Sequence, residues 1–121
     1  MILVVGAGAW GSAIYDVIKE KEKCFITSRK KRDISGFIDL KEGLKKSKYV
    51  IIVITSQSIR EFLKQVSLKD KKILIASKGI DNKELKFLNE VFEEYVDKNN
   101  LAFLSGPSFA KEVKEKKPKL L

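Results

Sequence analysis

The first eleven residues, Met1-Ile2-Leu3-Val4-Val5-Gly6-Ala7-Gly8-Ala9-Trp10-Gly11, constrain the fold more than any other stretch. An uncharged apolar run containing the β-branched pair Val4 and Val5 passes directly into Gly6-x-Gly8-x-x-Gly11. Ala13, Ile14, Val17 and Ile18 then recur at helical spacing, so the segment reads as strand, glycine turn and helix. In such a unit the first glycine permits the bend and the second lets the backbone approach a pyrophosphate. The third lets the helix pack closely on the strand. The helix N-terminus adds N–H donors and a positive dipole end for phosphate oxygens. Glycines also occur in ordinary tight turns; here the apolar strand before them and the helix after them favour the dinucleotide reading.

Cys24-Phe25-Ile26-Thr27 reads as a second strand and completes a βαβ unit. In NAD-specific sites an acid about 20 residues beyond the glycines accepts hydrogen bonds from the adenosine ribose. Here that place holds Ser28-Arg29-Lys30-Lys31-Arg32, with no acid before Asp33. Arg29 and Lys30 suit a 2′-phosphate, which points to NADP(H) over NAD(H). The alternative is a solvated charge run after a strand.

Further on, Asp33 to Gly36 reads as an irregular link and Phe37-Ile38 as a short strand. Asp39-x-x-Glu42 has the form of a capping box opening a helix to about Ser47. Tyr49–Ile54 is continuously apolar after its first residue, as a parallel strand covered on both faces should be. The polar turn Thr55-Ser56-Gln57-Ser58 is placed to cap a helix from about Ile59 to Val66. A strand is expected over Lys72–Ala76, then Ser77-Lys78-Gly79. The next helix starts at Asp81-x-x-Glu84, with Leu85, Leu88, Val91, Phe92 and Tyr95 on its inner face. Leu101–Leu104 is the last strand, followed by Ser105-Gly106-Pro107-Ser108 and a short helix around Phe109 to Lys114. Alternation of strand and helix argues for one α/β domain over residues 1–121, with a doubly wound, mostly parallel, Rossmann-type sheet.

Composition excludes several chemistries. The chain has no histidine, which removes Ser-His and Cys-His catalysis and any Cys/His metal cluster; no metal site is expected. Cys24 is the sole cysteine and lies in an apolar run, so it reads as a small core residue. The net charge of +9 raises a nucleic-acid reading, but 22 of the 25 basic residues are Lys. Base-edge readout and bidentate phosphate capture favour Arg. The lysines are also spread over most helices, as a solvated surface would be, so no nucleic-acid partner is expected. No apolar run approaches the roughly 20 residues of a membrane span. No signal peptide precedes the first strand, and the expected compartment is the cytoplasm.

Parallel strands joined by helices place their carboxyl ends on one edge, where ligands bind. The turns at Gly6–Gly11, Thr55–Gln57, Ser77–Gly79 and Ser105–Ser108 all fall there. Lys78, directly after a buried strand, can present its ammonium to a phosphate or a developing oxyanion, or snorkel to solvent. Gly106 allows close backbone approach. Ser108 can donate to a substrate or cap the last helix. Trp10 can wall a cofactor or pack against a loop.

Taken together, Gly6-Ala7-Gly8-Ala9-Trp10-Gly11-Ser12-Ala13, Ser77-Lys78-Gly79 and Leu104-Ser105-Gly106-Pro107-Ser108-Phe109-Ala110-Lys111-Glu112-Val113 resemble bacterial NAD(P)-dependent glycerol-3-phosphate dehydrogenase. The resemblance runs through the whole chain, and it implies the following roles. Gly6, Gly8, Ala9, Trp10 and Gly11 bind the dinucleotide, and Arg29 lies near the adenosine ribose. Lys78, Gly106 and Ser108 hold the glycerol phosphate, with Lys78 also touching the cofactor, and Ala110 is a further cofactor contact. The implied reaction interconverts dihydroxyacetone phosphate and glycerol 3-phosphate and supplies phospholipid synthesis. The family's main catalytic lysine belongs to a C-terminal helical substrate domain not found in these residues, so no catalytic residue is assigned within the chain and the chain alone is expected to be inactive. A homodimer is compatible with the full-length family enzyme. Thr55 departs from the pattern, since family members usually carry Pro there. A related hydroxy-acid reductase and a non-catalytic NADP(H)-binding module are the competing readings. The Ser105–Val113 stretch argues against the reductase.

Overall fold

In the computed structural model, which describes residues 1–77 and 82–105, the first strand has a parallel partner on each side. This strand, β1 (Ile2–Val5), leads to helix α1 (Ala9–Ile18) and then to β2 (Cys24–Thr27). Helix α2 (Leu40–Lys46) carries the chain across to β3 (Tyr49–Ile52) on the opposite side of β1. Helix α3 (Ser56–Gln65), strand β4 (Lys72–Ser77), helix α4 (Asn82–Glu93), a 3₁₀ turn (Lys98–Asn100) and β5 (Leu101–Ser105) follow. The sheet order is β2-β1-β3-β4-β5, and every strand pair is parallel. The expected doubly wound α/β architecture is therefore present, with an all-parallel sheet among the described residues.

Side-chain alternation divides the core in two. Leu3, Val5, Val50, Ile52, Ile73 and Ile75 face one way, against Leu44, Ile59, Leu63, Leu88, Val91 and Phe92 of α2, α3 and α4. Val4, Ile26, Ile51 and Ala76 face the other way, with Ile14 and Tyr15 of α1. Strands buried on both faces need unbroken apolar runs, which is why β1, β3 and β4 carry them. Cys24 is buried in the second cluster as anticipated. Burial pushes its thiol up to about 12, so it remains a protonated, small apolar group at neutral pH.

Several boundaries differ from those expected. Phe37 makes one parallel bridge to Ile26 in place of a strand over Phe37-Ile38. Its neighbours complete the pairing, the Ile26 N–H donating to the Gly36 carbonyl (3.1 Å) and the Ile38 N–H to the Ile26 carbonyl (2.9 Å). The bridge occupies the outer position beside β2, where a further strand would extend the sheet. Asp39 caps α2 by accepting the Lys41 N–H at 3.2 Å, but Glu42 pairs with Lys46 at 3.2 Å and does not reach back. Only half of the capping box forms. The C-terminal end of α2 is satisfied instead by Lys71, whose Nζ donates to the Leu44 carbonyl and, at 2.7 Å, to the Ser47 carbonyl.

β3 ends at Ile52, two residues earlier than the apolar run, because α3 begins at Ser56 and the chain must turn first. Thr55 is the α3 N-cap, but its hydroxyl meets Ser58 Oγ (3.1 Å) and caps no backbone N–H. β4 and β5 each extend one residue further, to the paired Ser77 and Ser105. Leu88, Val91 and Phe92 line the inner face of α4 as expected, whereas Tyr95 is 40% exposed. The helix closes at Glu93, so Tyr95 falls beyond its regular face. The side chain of Leu85, the cap at Asp81 and the helix around Phe109 to Lys114 lie outside the described residues.

The contrast between the two aromatic residues is testable. Phe92 is fully buried, and Phe92→Ala is expected to lower the unfolding free energy by about 3–5 kcal/mol. Tyr95→Ala is expected to cost only about 1 kcal/mol. Urea unfolding of the two variants checks this; equal losses would contradict the burial difference.

Candidate functional site: the carboxyl edge of the sheet

The chain leaves β1 toward β2 by way of α1, and later returns to β3 on the other side of β1 by way of α2. This change of direction opens a crevice at the carboxyl ends of β1 and β3, the position where open α/β sheets bind ligands. Register places Val5 opposite both Thr27 and Ile52. One residue on, the Gly6 N–H donates to the Thr27 carbonyl and the Val53 N–H to the Val5 carbonyl, each at 2.8 Å. The turn after β1 is thus sewn to both neighbours before α1 begins.

The three glycines of this turn answer to different demands. Gly6 has φ +121°, and a Cβ there would fall on the Val53 carbonyl oxygen. A Cβ on Gly11 would fall on the Gly6 carbonyl oxygen, so Gly11 lets α1 sit directly over the turn. Gly8 is unlike both. Its backbone is extended (φ −73°, ψ −173°), it is exposed, and among the described residues a Cβ there would meet nothing within 4 Å. No contact among those residues calls for glycine at this position. The space beside it is open to an outside group.

Gly8 is also the N-cap of α1, and among the described residues no side-chain hydrogen bond caps that end. The first turn carries no acid. The first intrahelical bond runs from the Ser12 N–H to the Gly8 carbonyl at 2.9 Å, and backbone N–H groups before it are directed out of the helix end. Ser12 Oγ donates to the Ala7 carbonyl at 3.3 Å and braces the turn from within. An open glycine beside an uncapped, acid-free helix start has the donor set and the shape for a pyrophosphate. Ala9 is exposed beside Gly8. Trp10 is half-buried and packs against the cluster formed by Ala7, Ile14 and Tyr15.

Arg29 and Lys30 are exposed in the loop that begins immediately after Thr27, next to the glycine turn. Ser28 Oγ donates to the Lys30 carbonyl at 2.5 Å and bends the start of this loop. On the other side of the crevice, Thr55 and Gln57 are exposed at the start of α3. Ser77 and Ser105 are paired at the same edge, and Lys78 and Gly106 follow them in sequence. Lys78, Gly106, Ser108 and Ala110 lie outside the described residues. Among the described residues, no group of three or more His, Cys, Asp or Glu side chains is arranged to hold a metal ion. No helix there is long and apolar enough to cross a membrane.

Two contributors to this edge escape a reading of motifs. Val53 supplies the carbonyl that leaves no room for a side chain at Gly6, and Tyr15 supplies a buried hydroxyl that reaches the far end of the basic loop. Tyr15 was detectable in principle, since Gly11, Ile14, Tyr15 and Ile18 share the i, i+3, i+4, i+7 stripe of α1. Its hydrogen-bond partner was not, being a backbone atom twenty residues away.

Comparison with known proteins adds a family. A family model described as NAD-dependent glycerol-3-phosphate dehydrogenase N-terminus matches residues 30–121. A glycerol-3-phosphate dehydrogenase (NAD(P)+) of Campylobacter lari is 52% identical over 119 residues, covering 97% of this chain and 39% of that protein. The protein of the same name from Campylobacter jejuni subsp. jejuni serotype O:23/36 is 47% identical over 121 residues, covering 99% and 40%. One from Nitratiruptor sp. is 45% identical over 116 residues, covering 95% and 38%. The chain thus spans about two-fifths of the length of these curated relatives.

The glycine geometry yields an ordered series. Gly6→Ala and Gly11→Ala are each expected to lose at least about 2 kcal/mol of stability, through strain and overlap with backbone oxygens. Gly8→Ala is expected to change stability by less than about 1 kcal/mol. Thermal or urea unfolding of the three variants reads this out directly, and a Gly8 variant as unstable as the other two would refute it.

Proposed function

The chain belongs to the NAD-dependent glycerol-3-phosphate dehydrogenase family, in its N-terminal part, and from that premise we propose that it is the cofactor-binding portion of such an enzyme. The observation that carries the reading is Gly8, a glycine that no contact among the described residues requires, placed at a helix start with no side-chain cap hydrogen bond. In this reading the pyrophosphate of the dinucleotide lies against Gly6, Gly8, Ala9, Trp10 and Gly11, held by backbone N–H groups and the α1 dipole. When bound, the nicotinamide would give a hydride to dihydroxyacetone phosphate in one direction and take one from glycerol 3-phosphate in the other.

The chain's own residues bind and orient. Lys78 offers an ammonium group to both the cofactor and the phosphate of the substrate. Gly106 gives that phosphate a close backbone approach, Ser108 donates a hydroxyl to it, and Ala110 adds a cofactor contact. The lysine that moves the proton comes from the remainder of the enzyme, in a C-terminal helical substrate domain. The enzyme acts in the cytoplasm, as a homodimer, at the entry to phospholipid synthesis.

NADPH is the preferred cofactor in this reading, through Arg29 with Lys30 assisting. The additional phosphate brings about two negative charges, and a charge-assisted hydrogen bond contributes roughly 1.5–3 kcal/mol. Solvent screening at an exposed loop reduces this to about a tenfold preference over NADH.

Titration calorimetry tests both parts. Gly8→Val is expected to weaken NADPH and NADH alike by at least about tenfold while the protein remains folded, since a side chain there holds the pyrophosphate off the N–H groups. Unchanged affinity would remove Gly8 from the site. Arg29→Ala is expected to narrow the gap between the cofactors mainly by weakening NADPH, and rising salt should narrow it in the wild type. Equal binding of both cofactors by the wild type at low salt would refute the phosphate assignment.

A further inference from the structure

We propose that Tyr15 is a positioning residue for cofactor choice: its hydroxyl latches the basic loop Ser28–Ser35 onto α1, and so holds Arg29 and Lys30 where the 2′-phosphate of NADPH would lie. The proposal rests on the cofactor reading above and extends it to a residue that does not itself reach the cofactor.

Tyr15 lies on α1, the helix whose N-terminus faces the pyrophosphate position, and it is 4% exposed. Its hydroxyl donates to the Ser35 carbonyl at 2.6 Å. Burial raises the phenol above its ordinary range, so it remains a donor throughout physiological pH. The next residue, Gly36, has φ +89°, and a Cβ there would fall on the Tyr15 hydroxyl oxygen. The loop therefore returns to the sheet by a left-handed glycine fitted to this phenol.

The contact closes a chain of anchors. The Ile34 N–H donates to the Arg32 carbonyl and the Phe37 N–H to the Ile34 carbonyl, each at 3.0 Å, while Ile34 packs against the cluster that contains Tyr15. The Gly36 carbonyl accepts from the Ile26 N–H at 3.1 Å. At the other end, Ser28 bonds to Lys30 directly after β2. Between these anchors stand Arg29, Lys30, Lys31 and Arg32, all exposed. Four adjacent cations repel one another and extend a free segment. Holding them in one arrangement beside the glycine turn needs a fixed return point, and the Tyr15–Ser35 bond is placed to provide it. NADH carries a neutral 2′-hydroxyl where NADPH carries the phosphate, so release of the latch should cost NADPH and leave NADH nearly unaffected.

Tyr15→Phe removes the one hydroxyl and keeps the buried ring. The expected result is a loss of about threefold to tenfold in NADPH affinity, with NADH changed by less than about twofold. Gly36→Ala disturbs the same contact from the loop side and should narrow the ratio of the two affinities in the same direction. A merely structural role would lower the melting temperature and weaken both cofactors by one common factor. That outcome, or an unchanged ratio in both variants, overturns the proposal while a preferring wild type leaves the cofactor reading intact. A wild type that binds the two cofactors equally overturns the phosphate assignment and the latch together.

Discussion

The meeting of the Gly6 backbone with the Val53 carbonyl, at the carboxyl ends of β1 and β3, is the contact on which the site depends. Parallel pairing on both sides of β1 brings those ends level, and hydrogen bonds from Gly6 to Thr27 and from Val53 to Val5 hold them. With the turn pinned there, α1 can start only where Gly11 lets it pass over the Gly6 carbonyl. The helix N-terminus is consequently aimed along the carboxyl edge and left without an internal cap. A side chain at Gly6 or Gly11 would displace the helix from this position; one at Gly8 would fill only the space beside it. Packing within the turn requires two of the glycines, whereas nothing among the described residues occupies the space beside the third.

The two-sided core explains why so short a chain holds this turn firmly. α2, α3 and α4 cover one face of the sheet through Leu44, Ile59, Leu63, Leu88, Val91 and Phe92, and α1 covers the other through Ile14 and Tyr15. Gly43 lets α2 come close to β1, since a Cβ there would stand 2.8 Å from Leu3 Cδ1. Burial of apolar area on both faces provides most of the driving force. The exposed ion pairs Lys19–Asp16 and Lys46–Glu42 add little, because solvent screens them.

The positive charge has a structural logic of its own. Lys45 and Lys46 lie in the last turn of α2 and Lys64 in that of α3, where cations complement the helix dipole, and Lys71 binds the terminal carbonyls of α2 directly. Since the helices run antiparallel to the strands, these lysines gather at the edge away from the glycine turn. The cations of Ser28–Arg32 stand apart from this set, beside the glycine turn and after a strand. Part of the positive charge thus serves helix ends, and a separate part is exposed beside the glycine turn.

The alternating strands and helices, the glycine turn and the basic loop were legible from residue patterns, because a parallel strand buried on both faces must be apolar throughout and a Gly-x-Gly-x-x-Gly turn has few other uses after one. Cys24 in the core and the inner face of α4 through Phe92 followed from the same periodicity. Local pattern failed where a competing partner came from elsewhere in the chain. Glu42 chose Lys46 over the helix cap, Thr55 met Ser58, and the Phe37 segment was reduced to one bridge. Which glycines packing requires was likewise hidden, since only the described structure reveals that Gly6 and Gly11 are crowded and that Gly8 has no described neighbour within 4 Å of a Cβ. The sequence by itself determined the fold class and the edge of the sheet on which the glycine turn and the basic loop lie, both consequences of short-range periodicity. The tertiary structure alone decided that Tyr15 reaches Ser35 and that Val53 stands over Gly6, because each contact ends on a backbone carbonyl far away in the chain, and a carbonyl carries no residue-specific signal.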